Sequence, residues 1–268
     1  MIELFSMQFF RNAFIMSCLL SVLFGFFSFF IVMRRMSFLG AGIAHTAFGG
    51  VALGILLGID PFYSSLVFCV VSAILIGRLT QAGHVSYDTG IGIFFSFSMA
   101  LGALFIALRK AYTFDLSGYL FGNILGVTNF DQVLVFITVL ICVPIMLGYL
   151  HKILFLTFDE KVAAVSGVPI QMLDTLLLIF LAIIIVISIK IVGIILVSAL
   201  IVLPASFGLL LSKDYRTVMK SAIGYSLAIM LGGLALSYYL NLPTGATIVI
   251  LGTIVYFITL IVSKIKSR

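Results

Sequence analysis

Long apolar runs follow one another along almost the whole chain, with only short polar segments between them. A helix needs about 20 predominantly apolar residues to cross a bilayer, and inside lipid it satisfies its own backbone hydrogen bonds. Hydrophobic residues account for 63% of the 268 positions and charged residues for 9%, so polar side chains are too few to cover a soluble globule. These features exclude a soluble enzyme, a nucleic-acid-binding protein and a disordered protein. The runs also exclude a membrane β-barrel, whose strands alternate in polarity.

We therefore predict an all-α integral membrane protein, a polytopic bundle of eight or nine transmembrane helices in a single domain over residues 1–268. The number depends on residues 174–212, which only Lys190 and Gly193 interrupt. The nine candidate spans are 12–33, 41–58, 62–78, 90–108, 131–150, 173–189, 192–211, 221–240 and 244–262.

The basic residues lie between these runs, where they orient the helices rather than bind nucleic acid, although the net charge is +6. If residues 34–40 face the cytoplasm, eleven of the 15 lysines and arginines lie on the cytoplasmic side. The positive-inside rule then predicts a cytoplasmic C-terminus. Nine spans would put the N-terminus outside, and eight would put it inside.

Two loops are long enough to hold a short helix of their own. In the inner loop, Thr157-Phe-Asp-Glu160 fits a capping box, Gly167 supplies a left-handed stop and Pro169 prevents continuation. This pattern predicts a helix of about two turns over 158–166. In the outer loop, a similar helix is predicted from Asp115 as the cap to Gly122 as the stop.

His45 is the one acid, base or imidazole group away from the ends of the predicted spans. A buried ionisable group in a membrane is costly, and neutral imidazole is a common transition-metal ligand, so His45 is a candidate site residue. The alternative is a neutral histidine that hydrogen-bonds between helices. Small residues surround it, including the pair Gly50-xxx-Gly54. Such residues permit close backbone packing and are equally compatible with a solvated path.

Other chemistry is absent from the sequence. The chain carries no HExxH motif, no Ser/His/Asp arrangement and no GxxxxGK[ST] phosphate loop, so it is not predicted to be an enzyme or to hydrolyse ATP by that mechanism. The isolated Cys18, Cys69 and Cys142 fit packing residues rather than disulfides or metal ligands. Transport against a gradient would draw its energy from an ion gradient or from another subunit.

The chain resembles the membrane permease subunit of the zinc and manganese ABC importers, the metal-permease family. The resemblance covers nearly the whole chain and is densest at Ile191-Val-Gly-Ile-Ile-Leu-Val-Ser-Ala-Leu-Ile-Val-Leu-Pro-Ala205. It also includes these segments: Arg34-Arg-Met-Ser-Phe-Leu-Gly40, Asp88-Thr-Gly-Ile-Gly92, Asp115-Leu-Ser-Gly-Tyr-Leu-Phe-Gly122, Asp159-Glu-Lys-Val-Ala-Ala-Val-Ser-Gly-Val-Pro169 and Asn241-Leu-Pro-Thr-Gly-Ala-Thr247.

The resemblance implies a homodimer in the bacterial inner membrane that works with cytoplasmic ATP-binding subunits and an extracytoplasmic metal-binding protein. His45 would line the translocation path. The short inner helix would couple to the ATPase through Asp159, Glu160, Ala163 and Gly167. The small Gly50 and Gly54 would pack helices. Pro144 and Pro204 would bend spans five and seven by removing backbone hydrogen bonds, with a gating role expected for Pro204 only.

One position departs from the family pattern. The family usually has an Asp four residues before the His, which places both ligands on one helix face, and here Ala41 stands in its place. Imidazole suits zinc, whereas carboxylate and water suit manganese, so zinc is the expected substrate, with manganese or iron as the alternative. The candidates for the missing ligands are water, backbone carbonyls and residues such as Thr46 and Asn123. An ion-coupled secondary transporter and a structural membrane protein without transport activity are the rival interpretations.

Overall fold

The computed structural model describes residues 8–83, 85–109, 122 and 124–266. Throughout these residues the only regular secondary structure is helical. Within these described residues, eleven α-helices run in chain order: α1 Gln8–Met33, α2 Leu39–Leu57, α3 Pro61–Gln81, α4 Tyr87–Leu108, α5 Asn129–Gly148, α6 Leu150–Phe158, α7 Glu160–Val165, α8 Ile170–Leu200, α9 Leu203–Leu211, α10 Tyr215–Leu240 and α11 Thr244–Lys266. A 3₁₀ turn, Ile124–Gly126, precedes α5.

Eight helical stretches in the described part of the chain are long and apolar enough to cross a membrane. The prediction of an all-α polytopic membrane protein with eight or nine spans is therefore confirmed. The sixth and seventh candidate spans form one stretch, Ile170–Leu211. This stretch is not a straight helix, because Gly193 has the non-helical angles φ 78° and ψ 165° inside α8.

Local chemistry explains where several helices begin. Asp60 accepts a hydrogen bond from the backbone of Phe62 at 2.8 Å, and Pro61 follows it as the first residue of α3. Asp214 caps α10 in the same manner. Hydrogen bonds from the backbone and then the side chain of Thr217 lower the pKa of the Asp214 carboxyl.

The end of α1 is unusual because a left-handed residue there is not glycine. The backbone of Arg35 donates to Val32 and that of Met36 donates to Ile31, which is the Schellman pattern of helix ends. Arg35 has φ 57°, a conformation that costs a residue with a Cβ about 1–2 kcal/mol. Ile31 and Met36 are both fully buried, as is common for the apolar residues at these two positions of the motif.

The helices group into two compact units. Unit 1 comprises the described parts of residues 1–37, 115–139 and 188–268, and unit 2 those of residues 38–114 and 140–187. In unit 1, α10 packs against α1, α9 and α11. A Cβ at Gly25 of α1 would lie 2.5 Å from the Cα of Ile223, so the two backbones touch at this glycine. In unit 2, α2 packs against α3 and α4. The single domain over residues 1–268 remains a prediction.

Candidate functional site

His45 lies in the first half of α2, on the face that packs against α4. Its ring meets Phe95 of α4 edge to face, with ring centroids 5.1 Å apart. Gly42 and Gly49 lie on the same face, three residues before and four after His45, which is the spacing of one helix stripe. The imidazole is half-buried. Phe95 of α4 therefore packs against the imidazole and helps to hold it in this position.

The hydrogen bond of the imidazole determines which nitrogen is free to bind a ligand. His45 Nδ1 lies 2.8 Å from the carbonyl oxygen of Ala41. A carbonyl can only accept, so Nδ1 carries the proton, and in the neutral ring the lone pair is on Nε2. A histidine that binds a metal is commonly oriented in this way by a backbone carbonyl on its other nitrogen. The arrangement is compatible both with a ligand and with a packed histidine.

Helix α3 occupies the space beside Gly50 and Gly54 of α2. A Cβ at Gly50 would lie 2.6 Å from the Cα of Ser65, and one at Gly54 would lie 2.9 Å from the Cα of Pro61, both in α3. Ser64 Oγ also donates to the Gly50 carbonyl at 2.8 Å. Within unit 2, Gly50-xxx-Gly54 thus serves close packing of the α2–α3 hairpin rather than a solvated path.

The residues around His45 in the described part of the chain do not complete a ligand set. Ala41 contributes its backbone to His45, as described above. Thr46 is buried, and its hydroxyl donates to the Gly42 carbonyl at 2.8 Å. Asn123 lies outside the described residues. No group of three His, Cys, Asp or Glu side chains among the residues described could hold a metal ion, so His45 is the candidate ligand from this region.

The short inner helix exists, but it begins later than predicted. Asp159, with extended backbone angles, is the N-cap of α7 and accepts from the backbone of Val162 at 3.0 Å. Thr157 is still helical in α6, and its hydroxyl donates to the Ile153 carbonyl at 2.7 Å. The predicted capping box from Thr157 to Glu160 is therefore wrong, because a cap needs a non-helical backbone and Asp159 provides it.

Gly167 ends α7 as the pattern indicated. It has φ 77°, and its backbone donates to Ala164 while that of Val168 donates to Ala163. These two bonds form a Schellman motif, with the buried Ala163 at its base. The outer loop gives a partial parallel: Gly122 has φ 65°, whereas residues 110–121, with Asp115, lie outside the described residues.

Apolar side chains are exposed around this turn. Val165 is 92% exposed and Phe158 is 70% exposed, and Val162 lies between them in sequence. Glu160 and Lys161 are exposed beside them. We call Phe158, Val162 and Val165 the α7 patch. An ordered apolar patch with a charged rim is typical of a contact surface for another protein.

Sequence reasoning missed an ion pair that holds the start of α5. Lys190 Nζ donates to Asp131 Oδ1 at 2.6 Å. The other oxygen, Oδ2, accepts from the backbone and the hydroxyl of Thr128, and the Asp131 backbone donates back to the Thr128 hydroxyl oxygen. The Asp131 side chain is 6% exposed and that of Lys190 is 51% exposed. The predicted topology put both residues at the outer ends of spans, which was the available signal.

A backbone contact lies close to this ion pair along the chain. A Cβ at Gly122 would overlap the backbone of Val192 and Gly193, at the break in α8. Both glycines have positive φ, 65° and 78°. Only residues without a Cβ allow this approach at such angles. The chain that leads into α5 is thus joined to the break in α8 by two contacts in unit 1.

The two prolines occupy different helical positions. Pro144 lies inside α5, as predicted. Pro204 lies in the first turn of α9, where no intrahelical bond to its nitrogen is lost. The prediction that Pro204 bends a continuous span needs correction, because α9 begins only one residue earlier, at Leu203. Its gating role remains a prediction.

These features define a polytopic helical membrane protein with the imidazole of His45 inside an apolar helix long enough to span a membrane, and with an exposed capped helix, α7, between α6 and α8. Residues 6–263 match the ABC 3 transport family, and the chain belongs to this family.

Named relatives agree with this assignment. The chain is 32% identical over 251 residues to the manganese transport system membrane protein MntC of Listeria monocytogenes, covering 94% of this chain and 89% of that protein. It is 34% identical over 231 residues to the high-affinity zinc uptake system membrane protein ZnuB of Buchnera aphidicola, covering 86% and 88%. The structure of PsaBC from Streptococcus pneumoniae in complex with Fab matches with a TM-score of 0.82 and 30% identity, covering 96% of this chain and 92% of that one. The resemblance to ABC permease subunits is confirmed.

Proposed function

We propose that this chain is the transmembrane permease of an ATP-driven importer of divalent metal ions, with zinc as the substrate. Family membership and the relatives named for manganese and zinc support metal transport. The observation that carries the choice of site is the Nε2 of His45, which the Ala41 bond to Nδ1 leaves with its lone pair. An imidazole without an adjacent carboxylate favours zinc over manganese.

A single protein ligand suits a transport site. An ion must enter and also leave, so weak binding completed by water serves transit better than a closed set of four ligands. In this proposal, Nε2 of His45 exchanges with water in the metal's shell, and Phe95 keeps the ring in place. The metal is the substrate and not a resident cofactor.

The energy would come from separate subunits. We propose that two copies of this chain pair in the bacterial inner membrane with cytoplasmic ATP-binding subunits and an extracytoplasmic metal-binding protein. The α7 patch would dock on the ATP-binding subunit, held rigid by Asp159 at one end and Gly167 at the other. Glu160 and the buried Ala163 belong to the same turn. The C-terminus would lie in the cytoplasm, on the same side as α7.

The test is metal uptake by proteoliposomes that contain this chain, its ATP-binding subunit and its metal-binding protein. We expect ATP-dependent uptake of zinc in preference to manganese, and we expect His45→Ala to lower zinc uptake about tenfold or more, since even residues behind a metal ligand contribute that much. Phe95→Leu is the matched control, because it removes the ring contact and leaves the ligand. Zinc uptake by His45→Ala equal to that of the wild type would make His45 a packing residue. ATP-dependent uptake of manganese in preference to zinc would overturn the assignment of zinc as the substrate.

The docking role of the α7 patch has its own prediction. Val165→Asp should leave the fold intact, because this side chain is 92% exposed, and should reduce ATP-driven uptake several-fold by placing a charge in an apolar contact. Val165→Thr keeps the shape and is expected to retain most uptake. Co-purification of the ATP-binding subunit with each variant measures docking directly. Normal co-purification and uptake with Val165→Asp would contradict this role.

A further inference from the structure

A groove of about 570 Å³ lies in unit 2 between α3 and α8. Its volume falls within the range of about 300–1,000 Å³ that is typical of sites for small molecules. Ile74 of α3 and Leu176 and Ile179 of α8 form an apolar part. This groove is distinct from His45 and from the α7 patch.

The polar groups of the groove are gathered at one end. They come from the last turns of α3 and the first turns of α8, where Arg78, Gln81 and Gln171 line the space. The side-chain amide of Gln81 donates to the backbone carbonyl of Gln171 at 3.3 Å and to the Thr175 hydroxyl at 3.5 Å. These bonds tie the two helices together at the polar end. The groove therefore has an apolar body and a polar head.

Arg78 gives the polar end a positive charge. Its side chain is exposed, and no ion pair joins it to a carboxylate among the residues that the structure describes. Asp174 belongs to α8 near the groove, but it is buried and accepts a hydrogen bond from the Tyr87 hydroxyl of α4 at 3.0 Å. A guanidinium offers a planar pair of donors that fits a phosphate group.

The surface beside the groove is apolar. Val67, Val71 and Leu75 follow one stripe of α3 at helical spacing and are 63%, 48% and 44% exposed. In a membrane protein such a stripe faces acyl chains. Arg78 follows Leu75 at the end of this stripe, and the positive-inside count puts it at the cytoplasmic end, where anionic lipids bind basic pockets between helices.

We propose that this groove binds one anionic phospholipid. The lipid phosphate lies on the Arg78 guanidinium, with the amides of Gln81 and Gln171 beside it, and one acyl chain follows Ile74, Leu176 and Ile179. Gln171 comes two residues after Pro169, so the bound headgroup is next to the turn that ends α7. The assignment depends on the chain being a membrane protein and not on which metal it transports.

The experiment measures bound lipid on the full-length chain by native mass spectrometry. Delipidated protein is incubated with phosphatidylglycerol or with phosphatidylcholine of the same acyl chains. We expect the wild type to retain one molecule of phosphatidylglycerol in preference to phosphatidylcholine. Arg78→Gln should bind phosphatidylglycerol about tenfold more weakly, which corresponds to the loss of a charge-assisted hydrogen bond. Lys220→Gln removes an exposed charge of α10 outside the groove and should change nothing.

Two further arms separate a lipid from other occupants. Leu176→Trp fills the apolar part without touching Arg78 and should also reduce retention, whereas glycerol 3-phosphate, which lacks acyl chains, should not compete at equal concentration. Unchanged retention in Arg78→Gln would overturn the proposal, and so would full competition by glycerol 3-phosphate. A photoreactive residue at Met172 that cross-links to another protein chain in the assembled transporter, rather than to lipid, would overturn it as well.

Discussion

Replacing Lys190 with methionine is expected to lower the free energy of unfolding by about 2–3 kcal/mol. The substitution leaves the Asp131 carboxylate, 6% exposed, without its cation. Removing one partner of a fully buried ion pair costs about 3–5 kcal/mol, and the 51% exposure of Lys190 places this pair below that range. The measurement is an SDS titration of the purified chain in mixed micelles, in which circular dichroism monitors unfolding.

A double-mutant cycle of Lys190→Met and Asp131→Asn measures the interaction energy of the two side chains apart from their other contacts. Lys190→Arg keeps the charge and should remain within about 1 kcal/mol of the wild type. Asp131→Asn combined with Lys190→Met should be more stable than Lys190→Met alone, because the uncompensated charge is gone. Additive losses in the double variant would mean that the ion pair does not couple α5 to α8.

Substituting alanine for Gly122 is expected to lower the free energy of unfolding by roughly 2–5 kcal/mol. The new Cβ would overlap the backbone of Val192 and Gly193, and overpacking costs about 1–3 kcal/mol. The left-handed backbone at φ 65° adds about 1–2 kcal/mol for a residue with a Cβ. The same titration in mixed micelles measures the sum.

Gly58 provides the matched control for this substitution. It has φ 70°, and a Cβ built on it would meet nothing within 4 Å. Gly58→Ala should therefore show only the conformational cost of about 1–2 kcal/mol. Equal losses at the two positions would mean that the break in α8 yields to the side chain and that the Gly122 contact contributes nothing.

The spans could be predicted because lipid imposes one simple condition on sequence. An apolar run of sufficient length must be helical, so candidates such as 41–58 and 244–262 coincide with α2 and α11 to within a few residues. The split between 173–189 and 192–211 was harder. Gly193 is a single residue, and its angles follow from its neighbours in space rather than from its neighbours in sequence.

The two Thr-x-x-acid patterns in the chain show the limit of local reasoning. Thr157 to Glu160 was predicted to be a capping box, yet α6 runs through Thr157. Thr128 to Asp131 was not singled out, yet it forms the reciprocal bonds of a capping box. The residue types are the same in both places. What differs is whether the preceding helix has already ended, and that depends on tertiary packing.

The candidate site was predictable as a residue but not as an arrangement. A lone ionisable side chain inside an apolar run identified His45. The contact with Phe95 joins residues of two helices, and a single sequence does not tell which face of α2 meets α4. The sequence also did not predict that the Ala41 carbonyl is the partner of Nδ1. The comparison with the family at this position concerned the missing side-chain carboxylate, whereas the partner is a backbone oxygen.

The contact between Gly25 and Ile223 has a consequence for the order in which the protein is made. Synthesis proceeds from the N-terminus, so α1 enters the bilayer long before the ribosome reaches α10. During that interval Ile223 is not yet present to pack against Gly25, and helices that are stable singly in lipid can associate afterwards. The close contact between α1 and α10 at Gly25 can therefore form only after most of the chain has been inserted.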